Sequence, residues 1–558
     1  LTGGEFRGNH ADDDGGAIYN QNSNPVLADV TILDNTASDN GGGMVNDASS
    51  PTLTNVVIQG NTALHGGGMV NWNGSAPWIA DTIFSGNTAT RDGGGMYNEN
   101  SSPTIIQLPL GNASFTDNSA ANGGAMFNVS SAPRISGVAF RGNQVTLDGG
   151  GMYNKDNSSP ILTDVTFEDN TADGSGGAIA NYYNYYSSTV TIIGTTFFTN
   201  TAANGGAMAN YTSTVTITNT TFLTNTATEN GGAMFNIASG GTLSGVAFRG
   251  NQATLDGGGM YNKDNSSPTL TDVTFEGNTA KRDGGGISNK YESNPILTNV
   301  IFDSNIAKRD SGGMDNDQGS NPTLTNVTFN GNRAERHGGG MGNWYASSPK
   351  LTNVSFIDNQ SGGDGGGMEN YKESSPILSN VTFINNSAGG SGGGMDSDTD
   401  SNPQLTNVTF VGNTANANGG GMRNINNSQP KLVNVLIAGS GSQGGDCVNL
   451  NGGALDAGSS HNLIEDGANA CGLTNGVEGN IVGVAPNLGS MTDFGFPGGQ
   501  VVPLIFGSPA VDAGTNMGCP ETDQRGQARP VGAACDIGAY EYEQVVYRIM
   551  LPFVTHGR

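Results

Sequence analysis

Charge is scarce in this 558-residue chain, and what there is has one sign. Lys and Arg number 22 against 49 Asp and Glu, charged residues make up 13%, and the formal net charge is −27. An acid excess of this size argues against nucleic acid and anionic membrane surfaces as partners, while leaving room for divalent cations. Long apolar runs are missing too: none reaches the roughly 18 residues of a membrane-spanning helix, so the chain is not transmembrane by that route. No basic-then-apolar leader opens it. The sequence begins inside a repeat, since Leu1-Thr2-Gly3-Gly4-Glu5-Phe6-Arg7-Gly8-Asn9 parallels Leu243-Ser244-Gly245-Val246-Ala247-Phe248-Arg249-Gly250-Asn251; the expectation is processing, truncation or a cap supplied from elsewhere. No stretch holds a helical period, which argues against helical and leucine-rich repeats. The five histidines are scattered, and neither a G-x-S-x-G elbow nor a phosphate-binding loop occurs.

Glycine, by contrast, is abundant, with 89 residues, and it falls at fixed intervals. Between Gly245 and Ile437, phenylalanine recurs every 27 residues, from Phe248 and Phe275 to Phe410. Asparagine follows three residues later in each unit (Asn251, Asn278, Asn305 and onward). A methionine closes each glycine run (Met260, Met314, Met341, Met368, Met395, Met422), with Ile287 standing in once. A period of this length marks stacked units. Within one unit, Val273-Thr274-Phe275 alternates as a half-buried strand does. Gly277-Asn278, Gly284-Gly285-Gly286 and Ser-Ser-Pro make corners. Three short strands and three corners per unit describe one coil of a parallel β-helix. Like residues then stack at about 4.8 Å, in ladders of Phe, Met and Asn. Each inward Asn takes its hydrogen bonds from the coil next door.

The glycine-run motif occurs 16 times, from Ile18 to Met422, with a degenerate seventeenth at Gly444-Gly445-Asp446-Cys447. The fold class is therefore all-β: a single parallel β-helix of about 16–17 coils, roughly 80 Å long. Residues 121–175 resemble 229–283 at an offset of four coils, so a block was duplicated. The expected organisation is repeats over 1–437, degenerate last coils over 438–484, a cap over 485–543 and an apolar tail over 544–558. All four cysteines lie past Ala438, where the ladder fades. That placement suits disulfides as staples, Cys447 with Cys471 and Cys519 with Cys535, in an oxidising compartment. Zinc is the rival, but no C-x-x-C or nearby His pair accompanies them.

Family resemblance rests on short motifs in order: Asn487-Leu488-Gly489, Gly498-Gly499, Pro503-Leu504, Gly507-Ser508-Pro509-Ala510-Val511-Asp512-Ala513-Gly514, Asp523-Gln524-Arg525-Gly526, Arg529-Pro530 and Cys535-Asp536-Ile537-Gly538-Ala539-Tyr540-Glu541. Over about residues 485–543 these resemble the bacterial choice-of-anchor Q domain. That resemblance implies a secreted right-handed β-helix displayed at the cell surface, ahead of a variable anchoring tail. The coils are similar to the pectate-lyase-like superfamily, and their G-G-[AG]-[MI]-x-N and F-x-x-N motifs to polymorphic outer-membrane-protein repeats. The tail around Ile549, Leu551 and Phe553 resembles short apolar tails of Chloroflexota surface proteins. An apolar strand of this kind aggregates unless paired, which makes it a candidate for head-to-tail self-association into a filament or surface layer.

Chemistry is sought in the column four residues before each Met or Ile, which contains only Asp, Asn, His and Ser. Its structural reading is a left-handed or Asx-type turn residue entering the glycine corner. Its functional reading uses Asp256, Asp283 and Asp310: stacked carboxylates repel, and Ca2+ would relieve that. The basic cluster Lys281, Arg282, Lys308, Arg309, Arg333 and Arg336 would relieve it as well. A polysaccharide lyase would draw on Asp283, Asp310 and Arg309, although the N-T-D, G-H-G and R-I-K motifs of polygalacturonases are absent. Aromatic residues after the corner Asn (Trp72, Tyr211, Trp344, Tyr371), with the tyrosine insertion containing Tyr182 and Tyr183, offer a strip for sugar or partner contact; the alternative is that they cover corner backbone. The leading expectation is a non-catalytic structural or adhesive protein of the cell surface, in contact with polysaccharide or with its own copies and requiring no cofactor. The alternative is a carbohydrate-active or carbohydrate-binding protein.

Overall fold

The computed structural model describes residues 1–183, 189–442 and 444–543. The tail residues Ile549, Leu551 and Phe553, and Tyr185 and Tyr186 of the insertion, lie outside them. The chain winds as one parallel β-helix. A typical coil contains the strands Thr269–Thr271, Thr274–Glu276, Thr279–Ala280 and Ile287–Lys290. Each pairs in parallel with its equivalent one coil on, so that Phe275 is in register with Phe302, Ala280 with Ala307 and Ile287 with Met314. Crossovers between parallel strands of one sheet are right-handed for steric reasons. The first two strands of each coil form a sheet of 30 strands, here the Phe sheet; the short T-A strands and the M-x-N strands each form a ladder of 17. The expected coil count and period are thus observed.

The sequence reading gave three strands per coil where most coils have four. The extra corner is the T-N or T-D pair before the Phe strand, with a left-handed residue such as Asp272 (φ 55°) or Asn299 (φ 56°). In five coils, from Ile296–Asp303 to Gln404–Val411, the strand runs through this bend as eight residues.

Columns of identical side chains hold the coils together. Thirteen phenylalanines from Phe84 to Phe410 stack with ring centroids 4.5 to 5.1 Å apart, as in Phe275–Phe302 and Phe302–Phe329, and they are buried. Stacked pairs of this kind add about 0.5–1.5 kcal/mol each beyond burial of area. The asparagine after each Phe is fully satisfied. Asn305 Nδ2 donates to Asn332 Oδ1 and to the Phe275 carbonyl (both 2.9 Å), and Asn305 Oδ1 accepts from the backbone N–H and Nδ2 of Asn278. A second ladder runs from Asn20 through Asn289 and Asn316 to Asn370. In the glycine run, a Cβ on Gly285 would strike the Gly312 carbonyl, so that position has no room for a side chain; one on Gly286 would meet the Phe302 ring at 2.8 Å, although the same position in other coils takes a buried alanine, as at Ala233.

The column four before each Met is not the left-handed position. That conformation belongs to the next residue: Gly257 (φ 68°), Gly284 (φ 67°) and, in place of glycine, Ser311 (φ 66°). The column side chains instead accept the backbone N–H of the same position one coil on: Asp256 Oδ1 from Asp283 (3.2 Å), Asp310 Oδ1 from His337 (3.2 Å), His337 Nδ1 from Asp364 (3.0 Å), Asp364 Oδ1 from Ser391 (2.7 Å). Asp, Asn, His and Ser share an acceptor atom of the right reach, which explains the column's narrow alphabet.

Disulfides join Cys447 to Cys471 and Cys519 to Cys535. The first closes the tapering end of the core. Residues beyond 485 turn back along the flank of the rod and bury the outward Thr column of the Phe sheet. Gln524 accepts from Thr382 Oγ1 (2.5 Å) and donates to Ser355 Oγ and the Gly498 carbonyl; Gln500 accepts from Thr328; Ala539 N–H donates to Thr409 Oγ1. The disulfide-bonded cap therefore lies on the side of the last coils.

Candidate ligand-binding cleft

The position after each Met points outward from the M-x-N sheet, and its chemistry changes along the rod. In the N-terminal half this face carries an aromatic ladder: Tyr97, Phe127 and Tyr153, then Tyr182 and Tyr211 from two places further along the strand, then Phe235 and Tyr261. Neighbouring centroids are 4.3 to 5.7 Å apart. Tyr182 and Tyr211 have their ring faces against other rings, and their hydroxyls reach Asp148 (3.1 Å) and Ser175 (2.8 Å). A sugar stacking on them would have to displace a neighbour, so the geometry favours the reading in which they cover backbone. Tyr183 is half exposed beside Tyr182, at 6.2 Å between centroids. Trp72 lies far toward the N-terminal end, with its indole N–H buried and unpartnered.

From Asp256 onward the same face becomes ionic. Arg282 grips Asp256, and Arg309 grips Asp283, each through two nitrogens. Arg336 Nη1 lies 3.9 Å from Asp310. Lys290 Nζ lies between carboxylates of Asp256 (3.7 Å), Asp283 (3.5 Å), Asp315 (3.3 Å) and Asp317 (3.5 Å). Burial pushes the Asp256 carboxyl up, but the Arg282 hydrogen bonds and the Lys290 charge outweigh it and hold the group below the usual range. Lys290 loses solvation, yet the four carboxylates raise it above an ordinary lysine. The candidate calcium column Asp256, Asp283 and Asp310 thus meets cations of its own chain. Arg309, the lyase candidate, spends its Nε and Nη2 edge on Asp283, so its charge is already paired within the chain. Among the described residues, a grouping of carboxylate oxygens within 4.8 Å of one another is Asp13, Asp14 and Asp39 in the first coils, and these are partly or fully exposed.

Beyond Lys290 the face opens into a cleft of about 450 Å3 that crosses five coils, from Asp283 to Asp398. One wall carries Trp344, Tyr345 and Tyr371, which meet edge to face at 5.9 and 6.3 Å. The floor is the column after Met: Asp315, Gly342 and Glu369, continued by Asp396 and Arg423. Seven carboxylates line the cleft against Lys290, Arg309 and Arg336. Asp315 is held by the hydroxyls of Ser288 and Ser311, each at 3.0 Å. Ser311 keeps a left-handed backbone to do so, at a cost of about 1–3 kcal/mol for a residue with a Cβ. A Cβ on Gly342 would strike Ser311 Oγ and lie 2.8 Å from Trp344 Nε1, so glycine lets the indole lie across the floor.

Glu369 differs from the other acids. It is 4% exposed, and its Oε2 is buried without a hydrogen-bond partner. Burial pushes its carboxyl well above the usual range, and Asp396, Asp364 and Asp398 push the same way against Arg423. Asp396 is gripped by Arg423 at 2.5 and 2.8 Å, yet burial and its acidic neighbours carry it up to about 7.

The sequence candidates Asp283, Asp310, Arg309, Trp344 and Tyr371 therefore come together at this cleft, whereas Trp72, Tyr182, Tyr183 and Tyr211 lie away from it. Lys290, Asp315, Asp317, Glu369 and Asp396 were missed. The available signal was the column after Met, which reads Val45, Val70, Tyr97 and Phe127 early in the chain and Ser288, Asp315, Gly342, Glu369, Asp396 and Arg423 later.

Comparison with known proteins agrees with this architecture. A family model described as a right handed beta helix region matches residues 258–437. A Chlamydia polymorphic membrane protein repeat matches residues 4–21 and 164–182. Neither the curated proteins nor the solved structures gave a match. The chain is a parallel β-helix protein, similar to right-handed β-helix regions over its central coils and to polymorphic membrane protein repeats at two places, and these likenesses suggest a protein of the cell surface.

Proposed function

We propose that this protein is a non-catalytic, adhesive β-helix of the cell surface that binds glycans in the cleft between Asp283 and Asp398. The observation that supports the reading most strongly is the change in the column after Met. Over these coils a face that is apolar elsewhere becomes a groove floored by carboxylates and walled by Trp344, Tyr345 and Tyr371. Carboxylates accept hydroxyl hydrogens, and aromatic rings suit the apolar faces of a pyranose. At about 4.8 Å per coil the groove is roughly 19 Å long, enough for an extended saccharide chain lying along the rod. Residues 485–543, by their likeness to choice-of-anchor Q domains, would tie the rod's C-terminal end to its anchoring tail.

Lyase chemistry is less well supported, because Arg309 is engaged by Asp283 and the cleft is net acidic, the wrong sign for a uronate. The test is a glycan array probed with the intact protein and with Trp344→Ala/Tyr371→Ala. Selective binding that the double variant loses supports the reading. No binding, or binding that the double variant retains, overturns it.

A further inference from the structure

The chemistry of the floor narrows the ligand. We infer that the cleft takes a glycan bearing free ammonium groups, and that Glu369 is the side chain that pairs with one of them. This inference rests on the glycan-binding reading and goes beyond it by naming the ligand class.

Three observations carry it. First, the cleft has a surplus of carboxylates whose sign selects a cation: seven face three cations, of which Arg309 is paired with Asp283 and Asp310, Lys290 with Asp315 and its neighbours, and Arg336 lies 3.9 Å from Asp310. Second, Glu369 lines the cleft with a buried oxygen that no group among the described residues satisfies. Leaving such an atom unpaired costs free energy, and an arriving N–H donor would recover it. Third, the aromatic wall already attracts an ammonium group. Lys372 Nζ lies 4.7 Å from the Tyr345 centroid and 5.1 Å from that of Tyr371, the geometry of a cation–π contact. A glycan fits better than a lysine-rich peptide because the groove runs along the axis past rings that offer apolar surface, with carboxylates placed to accept hydroxyls.

Pairing has a proton balance. The charged groups facing Glu369 are Asp364, Asp396, Asp398 and Arg423, three acids against one base. Burial and these acids push the carboxyl toward its protonated form before the ligand arrives. Binding then reads as carboxylic acid plus ammonium going to carboxylate–ammonium pair plus one proton released to solvent. No covalent bond is made or broken.

Isothermal titration of the intact protein, in two buffers of different ionisation enthalpy, separates the outcomes. The probes are a short glucosamine oligomer, its N-acetylated counterpart and oligolysine. Expected is tighter binding of the glucosamine oligomer than of the N-acetylated one, with proton release. In Glu369→Gln the glucosamine oligomer should bind about thirtyfold or more weakly, as for loss of one partner of a buried charge pair, without proton release. Asp398→Asn, at the cleft mouth, should weaken the glucosamine oligomer less and keep the proton release. Equal or tighter binding of the N-acetylated oligomer, or proton release that persists in Glu369→Gln, overturns the inference and leaves glycan binding standing. Preference for oligolysine overturns it in favour of a peptide partner. Absence of any glycan binding overturns the underlying reading as well.

Discussion

Ser397→Asn should stabilise the protein, because it repairs a ladder the chain breaks once. The inward asparagine of the M-x-N strand runs unbroken from Asn20 to Asn370, each Nδ2 donating to the next Oδ1 at 2.8–2.9 Å. At the next coil Ser397 holds the position, in register with Asn370 on one side and Asn424 on the other. Its hydroxyl is too short to reach either. Asn370 Nδ2 turns to the Asp396 carbonyl at 3.1 Å, and Ser397 Oγ and Asn424 Oδ1 are buried without partners. An asparagine at 397 would accept from Asn370 and donate to Asn424, in a column whose spacing already fits asparagine in the coils on both sides. Net of the Asp396 bond that Asn370 gives up, one added hydrogen bond at about 1 kcal/mol plus relief of the stranded oxygen gives an expected gain of roughly 1–2 kcal/mol. Urea unfolding should shift its midpoint upward at unchanged slope. Hydrogen exchange should slow at the amides of Met395–Asp398 and Met422–Ile425. Neutral or lower stability would refute the reasoning, by showing that the amide ladder does not supply the holding energy at this corner or that the serine site has no room to accept it.

Other consequences can be checked separately. Replacing Cys447 and Cys471 by serine reopens a closure of 24 residues, so chain entropy alone should cost about 3 kcal/mol; exchange should quicken in residues 447–482 and stay slow in the central Phe columns. Gln524→Ala removes bonds to Thr382, Ser355, Val354 and Gly498, worth about 3 kcal/mol together, and limited proteolysis should then cut residues 485–543 while sparing the coils. Glu369→Gln should change stability with pH in one direction only. A carboxyl raised in the folded state binds more protons folded than unfolded, so it costs stability as pH rises above the ordinary Glu value of 4.5. The variant should therefore match the parent at about pH 4 and exceed it at pH 8, by urea midpoint; equal pH dependence would place the charge elsewhere. Asp256 has the opposite sign: held below its usual value by Arg282 and Lys290, it contributes stability near neutral pH that is lost as pH falls through its folded value. Asp256→Asn should abolish that acid-side loss.

The winding was legible because its evidence is periodic. Phe275, Asn278 and Ile287 each recur at one spacing, and only a chain that returns to the same place each turn needs that. Less legible was anything whose partner lies in another coil. Asp256 looked like a turn residue because its neighbours in sequence are glycines, yet its acceptor serves Asp283, one turn on. Gln500 and Gln524 gave no sign that they would dock on Thr328 and Thr382, since the cap's contacts cross well over a hundred positions. The cleft was half visible. Asp283, Asp310, Trp344 and Tyr371 drew notice as an acid column and as aromatic residues after the corner asparagine. Asp315 and Glu369 did not, because a single polar residue between Met and Asn resembles strand filler until its whole column is compared with the apolar one preceding it.

The ligand-class inference turns on Glu369, buried without a hydrogen-bond partner and pushed toward its protonated form, giving up a proton when a cationic group reaches it. Infrared difference spectroscopy of the ligand-free protein against Glu369→Gln at pH 7 measures this directly. A carbonyl-stretch band of a protonated carboxyl, present in the parent, missing in the variant and lost when a glucosamine oligomer is added, is the expected result. A carboxylate band at Glu369 in the ligand-free protein would contradict the account.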